Sequence, residues 1–406
     1  MSSSDSTEDL GRNLMDMSPA SHRSIRTMDS ETIEKIAAVA AARGGSAQLV
    51  REQLESATVR RSHLPVPFSA DVPDQPDEQH GAVPLTAAPP FVPKNKVSII
   101  GAGQVGIAAA YSMLIQGKVQ AIALVDVNGE KLEGEAMDLR QGSAFYSRVR
   151  IEASTDYAVT ANSDLIIVTA GTARRPGETR LDLVERNSGI VRAIIPHLLK
   201  HSPDAPICIV SNPCDVMTAV AARAAGPDVP PGRIFGSGTA LDSSRLRSLV
   251  GASFDVDTNT VHGFVIGEHG DSSVPVWSSI NVGGSPILPH GGEPKEAHRA
   301  MHAEVITSGS TVIKKKGYTN WAIGLAIARI TAAVVTDERT FIPVSTCVRG
   351  YQGVEEDVFL SLPCCLGACG VVRVIDLKLT EAEATAFQKS AEEVWKVQAA
   401  VWESWE

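Results

Sequence analysis

The 406-residue chain contains no run of about 18 apolar residues, so no segment of it reads as a membrane-spanning helix. It has no cysteine before position 208. The six cysteines (208, 214, 347, 364, 365 and 369) form no CxxC pair and no Cys/His cluster, so no metal site is expected. They are expected as free, mostly buried thiols in a reducing compartment. Basic residues are in deficit: 37 Lys+Arg against 47 Asp+Glu leave a net charge of −10. That balance argues against nucleic acid or an anionic membrane surface as a partner. An anionic ligand would therefore need a local basic site. Aromatics are scarcest in residues 1–93, which hold only Phe68 and Phe91 while eight prolines crowd into 60–93. Such a stretch cannot bury enough apolar surface to offset its ordering entropy. Residues 1–93 are expected to be a disordered extension, with one short helix over 31–43 stopped by Gly44-Gly45. An import peptide should be poor in acids, yet Asp5, Glu8, Asp9 and Asp16 come at once, so a cytoplasmic location is expected over organelle import.

From position 94 the texture changes. "KVSII" (96–100), "QAIALVD" (120–126), "SDLIIVTAG" (163–171) and "APICIVSNP" (205–213) are apolar runs of strand length. Helical patterns through Gly117, over 180–200 and over 214–225 separate them. Continuous apolar strands alternating with helices predict a parallel sheet covered on both faces. After about 258 shorter β-rich segments appear, with long helices predicted at 294–315, 318–336 and 380–404. The chain is thus read as a 94–240 α/β domain followed by a 241–406 α+β domain.

"IIGAGQVG" places Gly101, Gly103 and Gly106 in a GxGxxG directly after a strand and opening a helix. The bare motif is weak, but Asp126 also ends the next strand twenty residues beyond Gly106. Gly101 permits the tight turn, Gly103 lets the backbone approach a pyrophosphate, and Gly106 lets the helix pack close to the sheet. Asp126 can bond both ribose hydroxyls and would repel a 2′-phosphate. The cofactor expected is NAD rather than NADP.

"VHGFVIGEHGDSSVPVWS" (261–278) sets His269 among turn-forming residues, and "SGTALDSSRLR" (237–247) supplies Asp242. A carboxylate holds an imidazole in one tautomer and stabilises its protonated form. Arg245 follows Asp242 at i+3, on the same helical face. An arginine beside a general acid/base suits a small 2-oxo or 2-hydroxy acid. Arg174, Arg175 and Arg180 crowd a Gly/Pro-bounded stretch, 169–183, where an anion is again expected.

Six motifs occur in order between about 95 and 404: GAGQVG, VTAG-(x)4-PGETRLDL, SNP, GSGT-x-LDSSR, GEHGDSSVPVWS and GYTNWAIG. With them the chain resembles the L-lactate dehydrogenases of the lactate/malate dehydrogenase superfamily over more than three-quarters of its length. The resemblance implies a Rossmann-type doubly wound parallel sheet followed by the α+β catalytic domain, and a cytoplasmic homotetramer of glycolysis or fermentation. It implies that His269 donates and accepts the proton, that Asp242 is its partner and that Arg245 clamps the substrate carboxylate. Asn212 would bond the reacting oxygen and touch the cofactor, its peptide to Pro213 being cis. Arg180 would sit on a mobile loop and polarise the carbonyl. Thr319 and Ile323 would line the substrate and nicotinamide side, and Val105, Lys131 and Tyr157 would join Asp126 in contacting NAD. Arg247 and His262 resemble a pair that binds a sugar bisphosphate in some bacterial members and is a plain interface cluster in others. One position departs. Arg174 stands where lactate dehydrogenases carry glutamine and malate dehydrogenases arginine, so oxaloacetate/malate is the alternative to pyruvate/lactate. A non-catalytic NAD-binding protein is a remote third reading, since such a protein would be free to lose His269, Asp242, Arg180 or Arg245.

Overall fold

A computed structural model describes residues 95–172, 180–289 and 292–405. The expected N-terminal extension, Arg174, Arg175 and the side chain of Arg180 lie outside what is described. The first strand, β1 (Lys96–Ile100), leads into α1 (Gln104–Gln116). There follow β2 (Ala121–Val125), α2 (Gly129–Gln141), β3 (Arg150–Ser154), β4 (Leu165–Val168), α3 (Arg180–His201), β5 (Ile207–Ile209), α4 (Cys214–Ala225) and β6 (Ile234–Gly236). These six strands lie parallel in the order β3-β2-β1-β4-β5-β6. That is the doubly wound order in which the two halves meet between β1 and β4.

Burial on both faces explains the unbroken apolar runs. All four residues of β4 are buried, and they alternate between two cores as the period of a strand requires. Leu165 and Ile167 pack with residues of α1 and α2, whereas Ile166 and Val168 pack with residues of α3 and α4.

The second half continues with α5 (Ala240–Phe254) and the short strands β7 (Val261–His262), β8 (Val265–Ile266), β9 (Val274–Pro275), β10 (Asn281–Val282) and β11 (Ser285–Pro286). Then come α6 (Glu296–Lys316), α7 (Trp321–Val335), β12 (Thr340–Cys347), β13 (Phe359–Gly367), β14 (Gly370–Val374) and α8 (Glu381–Glu403). β12, β13 and β14 add antiparallel to the β6 edge, giving one nine-stranded sheet. A smaller core of Leu246, Val250, Trp277, Ile280 and Val305 joins α5, α6 and the short strands. Among the described residues no helix is long and apolar enough to cross a membrane.

Candidate active site

The carboxyl ends of β1, β2, β4 and β5 open onto one edge of the parallel sheet, the edge where doubly wound folds bind ligands. At the end of β1, Gly101 turns with φ +104°, and a Cβ there would lie 2.8 Å from the Ala170 nitrogen. A Cβ on Gly106 would collide with the Gly101 carbonyl oxygen. Only glycine lets α1 start this close to the strand. Gly103 has nothing within 4 Å of its absent side chain, and no side chain caps α1. Its first amides are left to an anion. Asp126, after β2, is fixed toward this turn: Oδ2 accepts the Ala102 N–H at 2.7 Å and Oδ1 accepts the Asn128 N–H at 2.9 Å. Each oxygen retains capacity for a ribose hydroxyl. These residues fit a dinucleotide pyrophosphate and adenosine ribose.

Tyr157 stacks on His197, with ring centroids 5.1 Å apart, and lies near Asp126. Burial first, and then the Asp126 charge, push its hydroxyl up. Lys131 is exposed in the first turn of α2. Val105 and Ile323 pack against the same core, where α7 lies along α1. Thr319 occupies the turn between α6 and α7, and no described contact ties it to His269.

His269 sits in the turn between β8 and β9, and that turn is pinned to the large sheet. Gly267 and Ser361 of β13 exchange two backbone bonds of 2.9 Å. Thr239, before α5, bonds both Val265 and Ser361, so helix and turn share one anchor. Asp242 thereby meets His269 across 27 positions of sequence: Nδ1 of the imidazole bonds Oδ2 of the carboxylate at 2.5 Å. Because a carboxylate can only accept, Nδ1 carries the proton and Nε2 is left to exchange one. Arg245 Nη1 donates to the other oxygen, Oδ1, at 2.7 Å.

Asp242 is buried, while 28 % of the His269 side chain and 21 % of that of Arg245 stay exposed, so imidazole and guanidinium face outward over a buried carboxylate. Burial pulls the imidazole down, but the Asp242 charge and hydrogen bond, with Asp215 adding to them, push it up to about 9. Burial likewise raises the Asp242 carboxyl, and His269 and then Arg245 overcome it, so that it lies below its ordinary value.

Asn212 follows β5 with a cis peptide to Pro213, as the resemblance implied. Its side chain is exposed on the same edge. Arg247 is half-buried and donates to the Val261 carbonyl at 2.7 Å, next to His262, which is exposed.

Two residues of this region had no signal in the sequence reading. Buried Asn187 of α3 accepts the Thr172 N–H at 3.0 Å and donates to the Asn212 carbonyl at 2.8 Å. It ties the end of the β4 loop to the Asn212 turn. Buried Asp215 of α4 accepts the His269 backbone N–H at 2.7 Å. Acidic and amide side chains inside helices are ordinary, and only the SNP turn two residues earlier marked Asp215 as near the chemistry.

The fold and this constellation together define a nicotinamide-dependent dehydrogenase. The family model for the lactate/malate dehydrogenase NAD binding domain matches residues 95–236, and that for the lactate/malate dehydrogenase alpha/beta C-terminal domain matches 239–403. The chain belongs to the lactate/malate dehydrogenase family. It is 45 % identical over 309 residues to human L-lactate dehydrogenase A-like 6A, covering 75 % of this chain and 92 % of that protein. It is 47 % identical over 314 residues to the L-lactate dehydrogenase A chain of Cyprinus carpio, covering 76 % and 94 %. With the L-lactate dehydrogenase of Petromyzon marinus the figures are 46 % over 324 residues, 79 % and 96 %.

Proposed function

We propose that the protein is an NAD-dependent L-lactate dehydrogenase interconverting L-lactate and pyruvate, with 94–240 holding the cofactor and 241–406 the substrate. The observation that carries this is the His269–Asp242–Arg245 constellation on a dinucleotide fold, in a chain 45–47 % identical to L-lactate dehydrogenases. Gly101, Gly103, Gly106 and Asp126 would hold NAD, which when bound supplies or accepts the hydride. Arg245 binds the substrate carboxylate through the guanidinium nitrogens that Asp242 leaves free. Protonated His269 gives its Nε2 proton to the developing alkoxide in reduction and takes it back in oxidation, while Asp242 stabilises the imidazolium. Arg180, at the start of α3, polarises the carbonyl, and Asn212 bonds the same oxygen. Stabilisation of this kind is larger in a dry site.

Steady-state kcat/KM with NADH for pyruvate against oxaloacetate tests the assignment, and preference for pyruvate is the expected result. A preference for oxaloacetate would favour the second reading, which rests on Arg174: its guanidinium would pair a second carboxylate but face the methyl of pyruvate unpaired. In the same test His269→Asn should abolish turnover and leave NADH binding intact. A variant keeping more than about a tenth of kcat would overturn the role of His269, because general acid catalysis contributes about 10²–10⁴-fold.

The assembly proposed is a cytoplasmic homotetramer. Tyr111 and Ile115 on α1, and Trp321 and Leu325 on α7, support it as exposed apolar residues on two adjacent helices. Arg247 and His262 are proposed as an interface pair that binds no effector. A change in KM with millimolar fructose bisphosphate would reverse that.

A further inference from the structure

Asp215 takes part in no step above, yet it is 3 % exposed and touches the main chain of the catalytic histidine. Its Oδ2 accepts the His269 N–H, while Oδ1, also buried, has no hydrogen-bond partner among the described residues. The Ser345 hydroxyl on β12, also buried, lies close enough to favour the charged carboxyl but makes no well-formed hydrogen bond to it. A buried carboxyl with half its accepting capacity unused is destabilising. Anchoring the His269 main chain does not require it. The amide oxygen of an asparagine would accept the same N–H, and its NH2 could donate to Ser345. What a carboxylate adds is negative charge.

Among the described residues, charged and titratable groups around Asp215 are few. His269 and Glu268 face it from the β8–β9 turn, with Ser345 as the polar group on β12. On its own helix the Cys214 thiol, pushed up to about 12 by burial, is neutral. From α5, Asp242 bonds the imidazole ring and Arg245 bonds Asp242. Burial pushes Asp215 up to about 6, opposed by Ser345 and His269, so the carboxylate is charged at neutral pH and its main cationic neighbour is His269. We infer that Asp215 is a positioning residue that anchors the His269 main chain and also holds the imidazole in its proton-donating form, biasing the enzyme toward reduction of the oxo acid. The inference rests on His269 being the proton donor.

The test is an NMR titration of the His269 ring in histidine-labelled protein between pH 5 and 10, its signal assigned by loss in His269→Asn. In Asp215→Asn the His269 midpoint should fall by about one pH unit, the size one nearby opposite charge brings. The alkaline limb of kcat/KM for pyruvate reduction should fall with it. The two rate profiles should converge below about pH 7, where the ring is protonated in both proteins. An unchanged midpoint would overturn the inference. Should the variant fail to fold, the wild type answers alone: its His269 signal must show a second inflection near pH 6, and a single-step curve refutes the coupling. Turnover surviving in His269→Asn would instead remove the catalytic reading while leaving the electrostatic coupling measurable.

Discussion

Replacing Asp242 by asparagine removes the larger of the two charges that keep His269 protonated. The difference between 6.5 and about 9 corresponds to about 3 kcal/mol in favour of the imidazolium. Burial, the largest single influence on the ring, remains in the variant and outweighs the Asp215 charge that remains with it, so the imidazole should then titrate at or below 6.5. At pH 7.5 an imidazole titrating near 9 is roughly 97 % protonated, and one at 6.5 roughly 9 %, a loss of about tenfold in competent enzyme. The developing imidazolium–carboxylate attraction and the tautomer lock are lost as well, so the total fall in kcat/KM for pyruvate reduction should be about 10²–10³-fold. Because kcat/KM reports the free enzyme, the wild-type profile should decline as pH rises through about 9, where His269 gives up its proton. Lactate oxidation needs the neutral ring and should rise over the same interval. In Asp242→Asn both limbs should move to pH 6.5 or lower, and NADH binding should be unchanged because the Asp126 turn is untouched. Steady-state rates in both directions from pH 5.5 to 10, with a fluorescence titration of NADH, measure all of this. A limb that stays near 9, or a loss under about threefold, would refute the reasoning.

The same pair has a linked stability term. With the folded value raised, its contribution is fully present below about pH 6.5 and is lost as pH climbs through about 9.

Gly106→Val should cut NADH affinity at least about tenfold, since its Cβ would meet the Gly101 carbonyl and push α1 off the strand; a titration with unchanged affinity would show that the helix can shift freely. NAD should be preferred over NADP, and Asp126→Ala should narrow the gap, whereas equal kcat/KM with the two cofactors in the wild type would sink the role of Asp126. Arg174→Gln should move the oxaloacetate/pyruvate ratio of kcat/KM toward pyruvate by at least about 10²-fold, roughly 2.7 kcal/mol of differential transition-state binding, and a change under tenfold would mean that Arg174 does not contact the substrate. Deleting residues 1–90 should leave kcat and Tm nearly unchanged, and a large fall in Tm would show that this segment contributes to the core.

Apolar continuity made the central strands legible: the run read at 96–100 is β1 with the same bounds, and its neighbours fall within the runs read for them. The glycine turn and Asp126 were legible because each sits at a strand end, where spacing in sequence is spacing in space. Elements with little buried surface gave no such signal. In α2 only Leu132 and Ala136 are buried, a stripe too thin to set a period, and in β3 only Ile151 is. Long-range joins were equally silent. Ser345 pairs with Gly236 more than a hundred positions away, so nothing periodic told that β12, β13 and β14 extend the first sheet rather than form their own. For the site the same division holds. The Asp242–Arg245 spacing is local and could be read on a helix, but the meeting of Asp242 with His269 depends on the Thr239 and Gly267 anchors to Ser361, which no spacing encodes. Asp215 lies on the far side of that limit. Its position in a first helical turn is where acids are common for dipole reasons alone, and only the folded chain places its carboxylate against the His269 main chain. A residue whose role is to act on another's charge leaves its trace in three dimensions, and that is why the carboxylates flanking one imidazole had to be counted in the structure.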